Sequence, residues 1–301
     1  MLSWGIDLDV WLQGLGSPAL DAIFTALTFV GNIEFYLLLL PLVYWCFDKR
    51  TGVRLTLLFL ASAYLCYVLK LALDTPRPFE VDPERVRAIV DTASPGFPSA
   101  HAMVTTVVWG YLATRFGGRF WIAGVCVPLV AGVSRLYLGV HFPSDVLGGW
   151  LLGAIVVAAA AYLQDRSARA LASLPGSWLA AMAILAPALL TLCCFSTQTL
   201  KIASALAAAG LGLVFERRWV RFSEGGSRGA RAARFALGVA VVLGAHLGLK
   251  LLMAPPDAAS AVARALLAVP RYLFTGFWVA WGAPALFVKT GLATRSPAET
   301  A

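Results

Sequence analysis

The sequence predicts an all-α, polytopic helical membrane protein. Hydrophobic residues make up 59% of the 301 residues, charged residues make up only 13%, and the mean hydropathy is +0.77. A soluble globular domain carries about a quarter charged residues, so this composition excludes the soluble class. The apolar residues also gather into runs close to the ~20 residues that a helix needs to cross a bilayer.

Nine apolar runs, separated by polar breaks, predict nine membrane spans. They cover residues 24–47, 53–73, 100–116, 120–138, 146–163, 178–195, 200–215, 235–253 and 266–288. Before them, residues 2–15 mix bulky apolar and polar side chains too closely for a span. An interfacial amphipathic helix is the interpretation that fits this stretch.

Lysine and arginine collect in every second connection between the runs, at Lys49, Arg50 and Arg54, at Arg115 and Arg119, at Arg166 and Arg169, within 217–234, and at Lys289 and Arg295. Basic loops face the cytoplasm, so nine spans place the N-terminus outside and the C-terminus inside. We therefore expect a multi-pass protein of the inner (plasma) membrane, in contact with membrane lipids. The same loops account for the net charge of +8, and nucleic acid is not an expected partner.

The predicted organisation has three parts: an interfacial segment at 1–19, a transmembrane core at 20–165 and additional transmembrane helices at 166–301. The five cysteines lack the spacing of a metal site or a disulfide framework and are expected to be packing residues. Tyr44, Trp45 and Phe47 stand at the end of a run, where aromatic residues form an interfacial belt.

Three polar clusters stand at span ends that are predicted to face outward, at 70–78, 97–101 and 134–145. A phosphoryl transition state spreads negative charge over three oxygens and calls for cationic donors, a nucleophile and an acid. Lys70, Arg77 and Arg135 supply the cations, and arginine offers a planar fork to two oxygens. Ser99 follows Pro98 at a helix start, where free backbone N–H groups favour an anion.

Two of the three histidines lie in these clusters. Pro143 suits the first position of a helix, which places Asp145 in the opening turn, within reach of one nitrogen of His141. That contact would fix the tautomer and leave the other nitrogen free to attack phosphorus. His101 then protonates the leaving oxygen.

The pattern Lys-x6-Arg-Pro, Pro-Ser-x-His, Ser-Arg-x5-His-x3-Asp resembles that of the type 2 phosphatidic acid phosphatase (PAP2) superfamily. This superfamily includes membrane lipid phosphatases, glucose-6-phosphatase and soluble vanadium haloperoxidases. The resemblance covers Lys70 to Asp145. It implies a PAP2-like helical core at 20–165, followed by additional C-terminal transmembrane helices.

The resemblance also implies a role for each matching position. His141 is the nucleophile, Asp145 its partner and His101 the general acid, while the phosphate ligands are Lys70, Arg77, Ser99, Ala100 and Arg135. Ala100 departs from the family, which usually has a glycine that donates its backbone N–H. Alanine is tolerated there unless the backbone requires a positive φ. No metal or other cofactor is expected, because the cations neutralise the phosphate and the carboxylates lack ligand spacing.

Other polar residues have two interpretations. Glu34 lies inside the first predicted span, where a carboxylate is a functional candidate or a structural hydrogen-bonding group. His246, Lys250 and Arg271 either line a headgroup pocket or form polar contacts between helices.

The predicted function is hydrolysis of a lipid phosphate or polyprenyl diphosphate through a phosphohistidine, at the extracytoplasmic face. Undecaprenyl diphosphate, phosphatidylglycerol phosphate, phosphatidic acid and sphingoid-base phosphates all suit the motif. Transfer of the phosphoryl group to a lipid or sugar hydroxyl is one alternative. A non-catalytic lipid-binding relative and a lipid flippase are others, although both would be expected to lose the nucleophile or the acid.

Overall fold

The structure is a computed structural model and describes residues 2–254 and 260–296. Thirteen α-helices run through these residues: α1 Leu2–Gly14, α2 Pro18–Leu27, α3 Ile33–Leu42, α4 Lys49–Leu73, α5 Pro78–Val81, α6 Ala100–Phe116, α7 Phe120–Tyr137, α8 Pro143–Ala172, α9 Gly176–Cys193, α10 Thr197–Phe215, α11 Arg228–Leu252, α12 Ala261–Phe277 and α13 Ala283–Lys289. A 3₁₀ helix at Thr28–Gly31 follows α2, and π-helical turns at Val43–Phe47, Glu216–Val220 and Trp278–Gly282 extend α3, α10 and α12.

Six of these helical segments are long and apolar enough to cross a membrane. They are Lys49–Val81, Phe120–Tyr137, Pro143–Leu163, Gly176–Cys193, Thr197–Val220 and Arg228–Leu252. The α1 and α2 region, bent by 118°, makes a seventh if it is counted as one broken span. The all-α, polytopic membrane fold is therefore confirmed.

Three of the nine predicted spans do not form one apolar helix of this length. The predicted span at 100–116 is α6, which has 17 residues. The predicted span at 266–288 is divided between α12, a π-helical turn and α13. The predicted span at 24–47 is divided by the 3₁₀ helix and by Asn32, whose backbone is extended (φ −80°, ψ 153°). Glycine and asparagine have low helix propensities, so Gly31 and Asn32 mark the break.

A helix is confirmed at α1, but its burial differs from that expected of an amphipathic surface helix. Trp4 and Trp11 are 52% and 60% exposed, whereas Asp9 is completely buried. An interfacial helix exposes its polar face to water, and α1 instead buries a carboxyl group within the protein.

The chain divides into two compact units. Unit 1 comprises Met1–Leu37 and Ala61–Gln164, and unit 2 comprises Leu38–Leu60 and Asp165–Ala301.

In unit 1, α6 and α8 approach closely because α8 presents two glycines to α6. A Cβ atom on Gly149 would lie 2.6 Å from the Ser99 carbonyl oxygen, and one on Gly153 would lie 2.7 Å from Thr106 Cβ. Small residues four apart let membrane helices come into backbone contact. This contact brings the N-terminus of α6 next to the first turn of α8, where the backbone N–H of Ser99 donates to the Asp145 carbonyl oxygen at 2.9 Å.

In unit 2, the prediction of an interfacial aromatic belt is wrong for two of its three residues. Tyr44 and Trp45 are buried, and they donate to the carbonyl oxygens of Ala280 (3.1 Å) and Val279 (3.0 Å). Only Phe47 is exposed. The polar ends of Tyr44 and Trp45 are satisfied by the backbone of the π-helical turn that follows α12, which makes them core residues. The cysteine prediction holds for Cys46 and Cys66, which are buried, and not for Cys126 and Cys193, which are exposed.

Candidate active site

The three predicted polar clusters meet in unit 1. Lys70 lies in the last turn of α4, Arg77 caps α5, Ser99 caps α6, and Arg135 lies in the last turn of α7. His141 directly precedes α8, and Asp145 lies in its first turn. Of these six polar side chains none is more than 6% exposed. Charged side chains are almost never buried to this degree unless they are paired, so the contacts around each one explain its position.

Asp145 joins the start of α8 to His141. Its Oδ2 atom lies 3.1 Å from Nδ1 of His141 and accepts the backbone N–H of Phe142 at 3.0 Å. The second bond is the return half of a capping box, in which the third residue of a helix caps its start. The turn that begins α8 therefore also orients the His141 ring, with Nδ1 as the donor and Nε2 as the free nitrogen.

Arg77 is held by four acceptors of the protein. Its Nε donates to the Ser94 carbonyl oxygen (2.6 Å), Nη2 to Ser94 Oγ (3.1 Å) and to the Pro95 carbonyl oxygen (3.2 Å), and Nη1 to the Val140 carbonyl oxygen. A guanidinium has five N–H donors. The remaining one belongs to Nη1, which lies 3.4 Å from Nε2 of His141. The guanidinium of Arg77 therefore offers an added phosphate one available donor, beside Nε2 of His141, instead of the two parallel donors that were expected.

Lys70 is anchored in the same way. Its Nζ donates to the carbonyl oxygens of Pro95 (2.5 Å) and Gly96 (2.8 Å), which leaves one of its three N–H donors. The loop that supplies these oxygens is fixed by Thr75, whose backbone oxygen and Oγ1 accept from the N–H groups of Gly96 (2.8 Å) and Phe97 (2.7 Å). We call residues 94–96 the carbonyl loop.

Ser99 and Ala100 form the start of α6. Ser99 Oγ accepts the backbone N–H of Ala102 at 3.5 Å, and Ala100 is the first helical residue. N–H groups in the first turn of a helix lack partners inside the helix and attract anions. Ala100 is not among the described residues with positive φ, so alanine is compatible with its backbone conformation.

His101 contacts residues from the break in the first predicted span. Its Nε2 lies 2.9 Å from Asn32 Oδ1, and its backbone oxygen accepts Thr105 Oγ1 at 2.6 Å. Gly31 lies against the ring: a Cβ atom there would come within 2.7 Å of His101 Cγ. The absence of a side chain at Gly31 therefore leaves room for the imidazole.

Arg135 contacts the same break. Its Nη1 donates to Thr28 Oγ1 at 3.1 Å, and its Nε has no hydrogen-bond partner within the part of the chain that the structure describes. Since Arg77 has most of its donors engaged, Arg135 is the arginine with more capacity for an added anion.

The surroundings of His141 favour its neutral form. Burial lowers the pKa of His141 well below its ordinary value of 6.5, and the positive charges of Lys70, Arg77 and Arg135 lower it further. A neutral imidazole keeps a lone pair on one nitrogen, as a nucleophile requires.

Sequence reasoning missed the residues that support this group: Thr28, Gly31, Asn32, Thr75 and the carbonyl loop. The Gly-Asn pair within an apolar run was the available signal for the break. The carbonyl loop acts mainly through backbone oxygens, and Ser94 Oγ is the one side-chain acceptor that it contributes to Lys70 and Arg77 in the part of the chain that the structure describes.

Two further sequence predictions can be placed. Glu34, in the first turn of α3, is exposed and is not part of this buried group. Among the described residues, no group of three or more His, Cys, Asp or Glu side chains is arranged to hold a metal ion.

Comparison with known proteins identifies the family. The profile of the PAP2 superfamily matches residues 51–169, and the profile of the PAP2 superfamily phosphatase transmembrane extension matches residues 200–295. Lipid phosphate phosphatase delta of Arabidopsis thaliana is 29% identical over 51% of this chain and 40% of its own length. Phosphatidylglycerophosphatase B of Bacillus subtilis is 33% identical over 46% of this chain and 72% of its own length.

A solved structure also matches. The crystal structure of a transmembrane PAP2 type phosphatidylglycerolphosphate phosphatase from Bacillus subtilis aligns with a TM-score of 0.47 and 24% identity, over 55% of this chain and 86% of that one. The match to the plant relative spans less than half of that protein. The two profiles and the extent of the match to the Bacillus subtilis phosphatidylglycerophosphatase show that this chain, a polytopic helical membrane protein, belongs to the PAP2 superfamily.

Proposed function

We propose that this protein hydrolyses a lipid phosphate or polyprenyl diphosphate, without a metal, through a phosphohistidine formed on His141. One observation carries the proposal. Nδ1 of His141 is bonded to Asp145 at 3.1 Å, while Nε2 lies 3.4 Å from a donor of Arg77. This arrangement supports Nε2 as the attacking nitrogen, with Asp145 as the partner of the imidazole and Arg77 as a phosphate ligand.

In the first step, Nε2 of His141 attacks phosphorus, and a P–N bond forms as the P–O bond to the leaving group breaks. The imidazole becomes positively charged and is stabilised by Asp145. Lys70, Arg77, Arg135 and the N–H groups at the start of α6 neutralise the three equatorial oxygens. Burial and the positive charges of Arg135, Lys70 and Arg77 lower the pKa of His101, and the bound anionic substrate offsets those charges, so that His101 is protonated in the complex; it gives its proton to the leaving oxygen and becomes neutral.

In the second step, His101 takes a proton from water, and the resulting hydroxide attacks phosphorus from the side that the leaving group vacated. The P–N bond breaks, inorganic phosphate leaves, and both histidines return to their starting states. The Asn32 contact at 2.9 Å holds the His101 ring throughout both proton transfers.

The cations support a metal-independent reaction. A metal in a phosphatase neutralises phosphate oxygens and activates water. Here three cationic side chains supply the first function and His101 supplies the second, so a divalent ion would be repelled by the charges already present.

A lipid substrate at the extracytoplasmic face fits both the sequence and the relatives. The site residues lie at helix ends that alternate along the chain with the connections assigned to the cytoplasm, and outside the site their own connections carry only Arg85 and Arg87 as lysine or arginine. The matching relatives are named as a lipid phosphate phosphatase and a phosphatidylglycerophosphatase.

The test is release of inorganic phosphate by purified protein from a panel of lipid phosphates and diphosphates, at fixed micelle composition and in excess EDTA. We expect turnover of at least one lipid, unchanged by EDTA and inhibited by vanadate, which adopts the trigonal-bipyramidal geometry of the transition state. When the phosphoryl group of the substrate carries an isotopic label, the label should appear on the wild-type protein. The labelled group should be stable in alkali and released by acid.

The variant His141→Ala should neither turn over substrate nor take up label. Turnover by folded His141→Ala would contradict the covalent mechanism, and loss in EDTA with recovery in magnesium would contradict the role of the cations. Label that passes to an added alcohol instead of to water would identify a phosphotransferase.

A further inference from the structure

The transmembrane extension carries a second group of basic residues, which the proposed reaction does not use. Lys201 is in α10, His246 in α11 and Arg271 in α12. All three belong to unit 2, where α12 packs against both α10 and α11. Ionisable residues within membrane helices are rare and mark functional positions by default.

Arg271 has donor capacity that the protein does not use. Its guanidinium lies 5.0 Å from the centre of the Tyr272 ring, and Nη2 is 3.5 Å from the hydroxyl of the same residue. Its Nε is buried and has no hydrogen-bond partner among the residues that the structure describes. A contact of 3.5 Å is at the long limit for a hydrogen bond, so most of the five donors are available.

His246 is fixed beside Arg271 by Thr275. The hydroxyl of Thr275 donates to the Arg271 carbonyl oxygen at 2.8 Å, which uses its only proton. Nδ1 of His246, 3.3 Å from the same hydroxyl oxygen, must therefore be the donor in that contact. The ring also makes an edge contact with Tyr272, the residue that follows Arg271, at 5.8 Å between centres.

Lys201 brings a second positive charge close to Arg271. A Cβ atom on Gly276 would lie 2.5 Å from the Ala205 carbonyl oxygen, and one on Gly212 would lie 2.8 Å from Ala280 Cβ, so α10 and α12 pack side by side in the same direction. Lys201 and Arg271 precede Ala205 and Gly276 by four and five residues, which places both cations at the same level of this helix pair.

Nζ of Lys201 lies 3.4 Å from Gln198 Oε1, which is a long hydrogen bond. Neither cation forms an ion pair with a carboxylate of the described residues. Glu216, the acidic residue that follows α10, forms its ion pair with Lys49 instead. It lies fifteen positions after Lys201, a separation of about 22 Å along the helix.

Like charges on neighbouring helices in a medium of low dielectric are unfavourable unless an anion compensates them. A single lysine near a span end avoids this cost by extending towards water. Arg271 does not follow that pattern, because it is ten residues into α12, about 15 Å from the helix start, and its Nε is buried.

We propose that Lys201 and Arg271, supported by His246, bind the phosphate of an anionic lipid headgroup. A phosphate anion matches the planar guanidinium and the ammonium group, and it would remove the repulsion between them. Leu247 and Leu251 of α11 and Leu266 of α12 are exposed, at 57%, 78% and 57%, which provides apolar surface for acyl chains on the helices that carry His246 and Arg271. The lipid is the expected source of the phosphate for that reason.

The experiment titrates purified, delipidated protein in detergent with fluorescent phosphatidylglycerol. This lipid is a phosphodiester without a terminal phosphate, so binding is separated from turnover. Phosphatidylcholine and inorganic phosphate are titrated in parallel. The variants are Arg271→Gln and Lys201→Gln, and the matched control is Arg217→Gln, which removes one exposed charge just beyond the other end of α10.

We expect saturable binding of phosphatidylglycerol, weakened about tenfold by each of the two variants and unchanged by the control. Arg271→Lys should recover part of the loss. If Arg271→Gln does not fold, as judged by size exclusion and thermal unfolding, Lys201→Gln gives the result alone.

Equal affinity for phosphatidylcholine, equal loss in the control or no loss in either variant would overturn the proposal. Displacement of the lipid by inorganic phosphate at comparable concentration would assign the cations to free phosphate and overturn the lipid assignment. Because the variants lie in unit 2 and the probe is not hydrolysed, none of these results bears on the proposed reaction.

Discussion

A single atom of Asp145, Oδ2, contacts both His141 and the start of α8. It lies 3.1 Å from Nδ1 of His141 and accepts the backbone N–H of Phe142 at 3.0 Å. Orientation of His141, the proposed nucleophile, and capping of the helix therefore depend on the same carboxylate. A change at Asp145 should affect both.

Replacement of Asp145 by asparagine should lower kcat by two to four orders of magnitude. The amide keeps the size of the side chain but removes the charge that stabilises the phosphorylated imidazolium, and in comparable histidine–aspartate pairs this costs up to about 10⁴-fold. Phosphate release measures the effect. Asp21→Asn is the control, since Asp21 accepts the Tyr137 hydroxyl at 2.7 Å within the same unit but outside the candidate site. A folded Asp145→Asn enzyme within tenfold of wild type would exclude the assigned role.

Asn32→Ala should impair the general acid selectively. Asn32 holds His101 at 2.9 Å, so its loss leaves the proton donor poorly oriented. An alkyl alcohol needs that proton in order to leave, whereas p-nitrophenolate does not. We expect a fall of at least about tenfold for the lipid phosphate and a much smaller one for p-nitrophenyl phosphate. Equal losses for the two substrates would indicate a structural role only.

Gly31→Ala should reduce activity through a steric effect on His101. The added methyl group would come within 2.9 Å of His101 Cβ, and both the ring and the 3₁₀ helix would have to move. Gly14→Ala is the matched control, because a Cβ at Gly14 has no atom within 4 Å. We expect turnover to fall about tenfold or more in the first variant and to stay unchanged in the second. The opposite ranking would show that the close approach at Gly31 has no bearing on the acid.

The low pKa of His141 should make stability dependent on pH. In the folded protein His141 stays neutral well below 6.5, whereas in the unfolded chain it takes up a proton as the pH falls through 6.5. The unfolded state then binds more protons, so stability decreases as the pH falls below about 6.5 and is fully retained above it. Thermal unfolding between pH 7.5 and 5.5 should show a smaller decrease in Tm for His141→Gln than for wild type. Identical slopes would mean that burial does not suppress protonation of His141.

The proposed outward orientation of the site can be tested by labelling single cysteines in intact cells. Ala93 is exposed in the loop before α6, and unlike Ser94 it does not bond to Arg77. We expect Ala93→Cys to react with an impermeant maleimide and Ser227→Cys, at the start of α11, to remain unlabelled until the cells are lysed. The reverse pattern would place the reaction in the cytoplasm.

The sequence allowed the helical class to be predicted, and it singled out the histidines and cations that the structure brings together, because hydropathy and side-chain chemistry are both local signals. The bounds predicted for 100–116 agree with α6 because Ser99 and Gly117 cap its two ends. The division of the run at 24–47 was not predicted, since Gly31 and Asn32 change its mean hydropathy little. Their effect is tertiary: this break brings Thr28 to Arg135 and Asn32 to His101. Burial of Asp9 was also missed, because a helix of mixed polarity does not reveal which face packs.

The carbonyl loop solvates Lys70 and Arg77 in the way that a crown ether solvates potassium. Its oxygens bind both cations as dipoles, without contributing a negative charge, and carboxylates in the same positions would have cancelled the field that attracts a phosphate. Whether related proteins retain this uncharged coordination of the two cations depends on the path of the backbone. The side chain at 95 takes no part in these bonds, whereas Ser94 also accepts from Arg77 through its Oγ at 3.1 Å, and a Cβ at Gly96 would lie 2.9 Å from the Pro76 carbonyl oxygen and 3.1 Å from Asp145 Oδ2. Distant relatives could therefore keep the same electrostatic environment with little residue identity in this loop.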